Sequence, residues 1–314
     1  MRVLVAGAAG LVGSHLCDHL IARGDTVIGV DNFITGREIN IAQLLGEEHF
    51  QLERWDISRH VDDVQVDQVY HLASPASPIG YMENPIATHL VNSVGTLNLL
   101  ELARRHNARF LYTSTSEIYG NPFVHPQPED YFGNVNPVGP RSCYDESKRF
   151  GESITMEFVR QFRLDARIVR LFNVYGPRND PQDGRVIPAF ISAALRNEPL
   201  PIYGDGTQTR SLCYIDDLIR GLVLMMDTDG LAGEVVNLGN PDERTVLELA
   251  QNISVQCGST AGYSWLPARQ DDPDRRCPDI TKARTLLGWE PQVALSDGLR
   301  ATVDYFANVE RVTA

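Results

Sequence analysis

Nowhere in its 314 residues does the chain carry eighteen consecutive apolar side chains, so no segment reads as a membrane-spanning helix. Positive charge is also scarce. Twenty-eight Lys and Arg stand against 41 Asp and Glu, a net charge of −13. Nucleic-acid and anionic-membrane partners need clustered cations to release counterions, and this balance argues against both. An anionic small molecule stays compatible, because a few local arginines outweigh a distant field. Five cysteines (Cys17, Cys143, Cys213, Cys257 and Cys277) are odd in number and include no CxxC pair. They read as reduced thiols, which excludes a disulfide framework. No HExxH occurs, and His15 and His19, four apart on a predicted helix, have no evident third ligand; no metal is expected. Met1–Val12 is apolar, but glycines break it and no small-residue cleavage site follows. The expectation is a soluble cytoplasmic protein.

What is present is an alternation of apolar strand-like runs with amphipathic stretches. Arg2–Ala6, Thr26–Val30, Gln68–Leu72, Arg109–Thr113 and Ala166–Leu171 read as strands. Helices are expected from about Gly13 to Arg23, Pro85 to His106 and Ser142 to Phe162. Alternation of this kind means parallel pairing through right-handed crossovers, hence an α/β, Rossmann-like doubly wound parallel sheet. Five prolines between Asn121 and Pro140 rule out helix or central strand there and predict a long loop over the sheet's C-terminal edge. Beyond Asn173 the alternation dissolves. Residues 1–172 are expected to form the dinucleotide-binding domain, and 173–314 a smaller, partly interleaved substrate-binding lobe.

Gly7, Gly10 and Gly13 follow the first strand directly, in AGAAGLVGS. Glycines there allow a tight turn, close approach to a pyrophosphate and close packing of helix on sheet, while the helix N-terminus offers free N–H groups. A plain strand–turn–helix could carry the same glycines. Asp31, eighteen residues past Gly13 at the end of the second strand, adds specificity. Its carboxylate can accept both ribose hydroxyls and would repel a 2′-phosphate, which favours NAD; Arg37 is the nearby cation that would suit NADP.

Tyr144 and Lys148 form YxxxK at the start of a predicted helix, on one face. An ammonium there can lower the phenol pKa from about 10 and make tyrosinate accessible as a base. With the glycine turn, this pair resembles the signature of the short-chain dehydrogenase/reductase superfamily, in its extended, sugar-nucleotide branch. The resemblance implies Thr115 as the third catalytic member. It also implies cofactor contacts from Leu11 and Val12, from Asn32, Phe33, Thr35 and Gly36 in DNFITG, and from Asp56 and Ile57. Leu72, Ala73 and Ser74 of HLAS, with Asn92 and Thr113, complete that set.

The residues beside Thr115 separate the chemistries of that branch. A 4,6-dehydratase carries Thr-Asp-Glu, whereas this chain has Thr115-Ser116-Glu117, and serine cannot protonate a departing hydroxyl. A 4-epimerase usually lacks the glutamate. HLASPASPIGY, STSEIYGNPFVHPQPEDYFGNVNPVGPRSCYDESKR, YGDGTQTRSLCYIDDL and DDPDRRCPDITKARTLLGWEP resemble the UDP-glucuronic acid decarboxylase family over nearly the whole chain. Ala6, Ala8 and Leu11 depart from that family's usual Thr, Gly and aromatic. The resemblance implies conversion of UDP-glucuronate to UDP-xylose with tightly held NAD, Tyr144 as base and Glu117 organising protonation at C5. It implies substrate contacts at Asn173, Arg185, Tyr203, Gln208, Arg210 and one of Arg275 and Arg276. It further implies a homodimer through a four-helix bundle built from the helices near 85–106 and 142–162. A UDP-sugar 4-epimerase or 4,6-dehydratase is the alternative, and a non-catalytic nucleotide sensor a more distant one.

Overall fold

A computed structural model describes residues 1–268 and 275–313. The runs Arg2–Ala6 (β1) and Thr26–Val30 (β2) are buried at every position but the first, as strands covered on both faces require. With β3 (Phe50–Glu53), β4 (Gln68–His71), β5 (Arg109–Thr115), β6 (Ala166–Leu171) and the strand Val235–Leu238, they form one seven-stranded parallel sheet. Its order is β3-β2-β1-β4-β5-β6 and then Val235–Leu238. The direction of growth reverses between β1 and β4. Loops after these two strands must part there, and a crevice opens above the strand ends.

Side chains alternate across the sheet and feed two cores. Val3 and Val5 face one core with Leu16 and Leu20 of the first helix, α1 (Leu11–Ala22). Leu4 and Ala6 face the other with Leu99 and Leu102. On that second side the expected helix 85–106 is present but not uniform. Two short helices, α2 (Pro78–Glu83) and α3 (Pro85–Leu90), lead into a wide π turn at Val91–Gly95 before α4 (Thr96–His106). The wide turn inserts a residue into the helical ladder, a local device common at functional sites. Both α3 and α4 pack on α5 (Ser142–Phe162).

Two strands of this sheet escaped the sequence reading. Phe50–Glu53 is a four-residue edge with two polar residues, and Val235–Leu238 lies within the part expected to be a smaller, partly interleaved lobe. That last strand returns to the sheet beside β6 and is held by a buried polar network. Arg170 of β6 donates two bonds to Glu152 of α5 (both 2.9 Å) and one each to the Tyr119 hydroxyl and the Glu129 carbonyl. Tyr119 then donates to the Asn237 side-chain carbonyl at 2.8 Å. A charge so buried is tolerated because each of its three nitrogens donates to an acceptor, two of the bonds going to a carboxylate. Among the described residues, no helix is long and apolar enough to cross a membrane.

Candidate active site

The loops after β1, β4, β5 and β6 line a cleft of about 720 Å³, closed on its far side by residues from 173 onward. This is within the range of small-molecule and cofactor sites. Its floor begins at the glycine turn. Gly7 has φ +87°, and a Cβ there would stand 2.8 Å from the backbone of Leu72 and Ala73. At Gly13 a Cβ would lie 2.0 Å from the Gly7 carbonyl oxygen. Gly10 is different: its only neighbour at that range is the Gly7 oxygen, at 3.3 Å, so this position borders open cleft. Gly10 also caps α1 without any side-chain bond, leaving first-turn N–H groups for a ligand.

Asp31, nine-tenths buried, accepts from the N–H groups of Ala9 (2.9 Å) and Phe33 (2.8 Å). Burial raises its pKa against the pull of those two bonds. Gly36 leaves it room, since a Cβ there would stand 2.6 Å from the carboxylate. Leu11, Val12, Thr35, Leu72, Ser74 and Thr113 line the cleft. Asn32 and Phe33 shape the turn beside Asp31, with the Asn32 side chain accepting from Ile34. Asp56 caps its own turn through Ser58, and Ile57 lies buried beneath Gly95; neither is on the cleft wall. Asn92, placed by the π turn, donates to Ser74 (3.1 Å) and Ser147 (3.0 Å). It braces the wall from behind.

A dinucleotide fits what these residues offer. The uncapped turn suits phosphate, the bare Gly10 suits close approach, and Asp31 has acceptor capacity beyond its two backbone bonds.

At the inner end, β5 runs two residues further than expected and delivers Thr115 on its last position. Tyr144, 5% exposed, lies beside Thr115, whose side chain favours the ionised phenol. Burial pushes its phenol above the usual value, while Thr115 and Arg185 oppose that shift. Lys148 is the group expected from the sequence to lower it. Lys148 donates its Nζ proton to the Thr113 carbonyl at 2.8 Å and lies 5.9 Å from the Tyr144 ring centroid. Burial brings its own pKa down to about 7.

Glu117 shows a different balance. Burial would raise its pKa, but Arg276, Arg141 and Arg210 together pull it down to about 2. Arg141 Nη2 is 2.5 Å from one carboxylate oxygen and Arg276 Nη1 is 3.3 Å from the other. The two guanidiniums thus favour the carboxylate form of Glu117 near neutrality. Asp145, next to Tyr144, is driven the other way, up to about 7, by burial and by the charge of Glu117.

Asn173, Arg185, Tyr203, Gln208 and Arg210 all line the cleft. Arg185 is paired with Asp183, and Gln208 donates to the Tyr203 carbonyl at 2.6 Å. The two adjacent arginines separate. Arg276, 1% exposed, clamps the turn after β5 through Ser116 and the Gly120 carbonyl. Arg275 is on the outer surface, against His125 and Glu243. Arg141, Arg178 and Tyr81 also line the cleft and were not assigned from sequence. Arg141 could have been: a cation three residues before Tyr144 shares its side of the helix start.

Residues 3–239 match the family model described as the NAD dependent epimerase/dehydratase family. The chain is 52% identical to UDP-glucuronic acid decarboxylase 2 of Arabidopsis thaliana, over 98% of this chain and 68% of that one. With UDP-glucuronic acid decarboxylase 1 of Danio rerio it shares 51% identity, covering 98% and 72%. Among solved structures, the UDP-glucuronic acid 4-epimerase of Bacillus cereus, in complex with UDP-glucuronic acid and NAD, superposes with a TM-score of 0.87. It is 34% identical and the match covers 98% of this chain and all of that one.

The low lysine pKa has a measurable consequence. An unfolded lysine titrates near 10.4, so between about pH 7 and pH 10 the unfolded chain holds a proton that folded Lys148 has released. Lys148 therefore contributes a rise in stability as pH increases through that window. Urea unfolding without NAD at pH 7, 8 and 9 should show a shallower rise for Lys148→Met than for the parent. Equal slopes would mean that Lys148 stays charged in the folded protein.

Proposed function

The chain belongs to the NAD-dependent epimerase/dehydratase family, and from that premise we propose that it converts UDP-glucuronate to UDP-xylose and carbon dioxide. The observation that carries this reading is the Ser116-Glu117 turn, its carboxylate locked between two arginines beside the Thr115–Tyr144 pair. The decarboxylases of Arabidopsis thaliana and Danio rerio, half identical over nearly the whole chain, support it.

In this reading Gly10, the first turn of α1, Asp31 and Lys148 hold NAD. When bound, NAD supplies a hydride acceptor for C4 of the sugar and later returns the hydride. Tyr144 takes the C4 hydroxyl proton, with Thr115 sharing that oxygen. Burial keeps the free phenol protonated, so its proton must move on as the cleft fills; Lys148, poised at about 7, is the neighbouring group able to take one up. The C4 ketone is β to the C6 carboxylate, and loss of carbon dioxide leaves an enolate. Held as a carboxylate, Glu117 does not protonate that enolate itself. As an acceptor it orients the water that delivers a proton to C5. Tyr144 finally returns the C4 proton. Arg178, Arg185 and Arg210, with Asn173, Tyr203 and Gln208, receive the diphosphate and uridine, so that residues 173–314 supply most of the substrate wall.

Two finer readings accompany this one. Five free, scattered cysteines favour a cytoplasmic location. A homodimer is favoured by an apolar stripe that none of the described residues covers. Ile86, Leu90, Val94 and Leu97 are exposed at helical spacing along α3, the π turn and α4, and Phe150 is exposed on α5. Two copies pairing these helices would bury the stripe in a four-helix bundle.

Purified protein given UDP-glucuronate without added NAD should form UDP-xylose by proton NMR, with release of carbon dioxide. Accumulation of UDP-galacturonate instead would make it a 4-epimerase. For the dimer, Leu90→Glu should convert a two-chain species to one chain in sedimentation velocity; a parent that already sediments as a monomer would remove the bundle.

A further inference from the structure

Tyr81 of α2 lines the cleft, and no step above uses it. It is 1% exposed, and its ring lies parallel to that of Tyr144, with 5.2 Å between centroids and 9° between planes. Its hydroxyl is buried and has no hydrogen-bond partner among the described residues. A buried phenol ordinarily finds one, because an unmet hydroxyl is unfavourable away from water. Its backbone is fixed at both ends. The N–H donates to the Ser77 carbonyl at 3.0 Å, and the Cys143 thiol donates to the Tyr81 carbonyl at 3.7 Å. Preceding it, Gly80 has no room for a side chain: a Cβ would stand 2.9 Å from the Ser77 hydroxyl. The charges that act on the phenol are Arg141, Glu117 and Asp145, which places it at the sugar end of the cleft.

We infer that Tyr81 is a specificity-determining residue, its hydroxyl donating a hydrogen bond to the C6 carboxylate of the bound sugar. The inference rests on the UDP-glucuronate reading above. With the C4 oxygen held by Tyr144 and Thr115, the carboxylate on neighbouring C5 lies beside Tyr144. Tyr81 is the side chain stacked there with an unmet donor. Burial pushes its phenol above the usual value, which keeps it a neutral donor. Neutrality suits the task. The carboxylate must leave as carbon dioxide, and a cation clamped on it would stabilise the bound substrate more than the transition state. Arg141 and Arg276 are instead turned to Glu117.

The test is Tyr81→Phe, which removes only the hydroxyl, made in a Tyr144→Phe background that stops turnover, with two ligands compared by calorimetric titration against Tyr144→Phe alone. The dissociation constant for UDP-glucuronate should rise about tenfold, the scale of one hydrogen bond to a charged group. That for UDP-xylose, which has no carboxylate, should stay within about twofold. The melting temperature should be unchanged or higher, because the hydroxyl removed has no partner among the described residues. Equal weakening of both ligands, or of neither, would overturn the inference, and equal weakening with a lower melting temperature would assign Tyr81 a structural role. Carbon dioxide release is measured on the unsubstituted protein in parallel. An inactive unsubstituted protein would count against the substrate class, whereas an active one with an unselective variant would count against Tyr81 alone.

Discussion

The ion pairs of Glu117 with Arg141 and Arg276 set the charge state of the inner cleft, and three distant parts of the chain must meet to make them. Glu117 comes from the turn after β5, Arg141 from the approach to α5, and Arg276 from the C-terminal segment. Burial alone would neutralise the carboxylate; two guanidiniums at contact distance reverse that. The fixed charge then propagates. It helps push Asp145 to about 7 and disfavours ionisation of Tyr144 and Tyr81. A single ionised group thus separates the roles of its neighbours: one acceptor, and around it groups that keep their protons.

That arrangement depends on joining the C-terminal part to the sheet. The strand Val235–Leu238 beside β6 carries Asn237, which donates to the carbonyls of Gln127 (3.0 Å) and Asp279 (3.2 Å). Gln127 and Cys277 bond reciprocally, so the proline-rich loop and the Arg276 segment are tied together. Arg170 and Tyr119 anchor the same strand to the turn that bears Glu117. Packing and chemistry are therefore one problem here: the polar network that closes the sheet also delivers Arg276 to the site.

The parallel sheet, the glycine turn and the Tyr144–Lys148 pair were legible in the sequence because each rests on local spacing. Gly7 and Gly13 have no space for a side chain, and a four-residue step puts Tyr144 and Lys148 on one helix face. What depends on burial was not legible. Spacing alone could not show that burial lowers the pKa of Lys148 itself, or that its Nζ turns to the Thr113 carbonyl. Arg275 and Arg276 could not be told apart because adjacent residues on an extended segment point to opposite sides. The place of Arg141 beside Tyr144 was legible from spacing, but its pairing with Glu117 depends on the turn after β5 folding back toward the start of α5. The edge strand Phe50–Glu53 and the returning strand Val235–Leu238 owe their pairing to neighbours far away in sequence.

The central claim, that Glu117 is held as a carboxylate and never acts as the acid, is open to direct titration. Protein labelled with 13C at the glutamate side-chain carboxyl, with the Glu117 signal assigned from Glu117→Gln and recorded in an Asp145→Asn background, should show no protonation step in that resonance from pH 8 down through pH 4. A titration step between pH 5 and pH 8 would contradict the account and restore Glu117 as a proton donor.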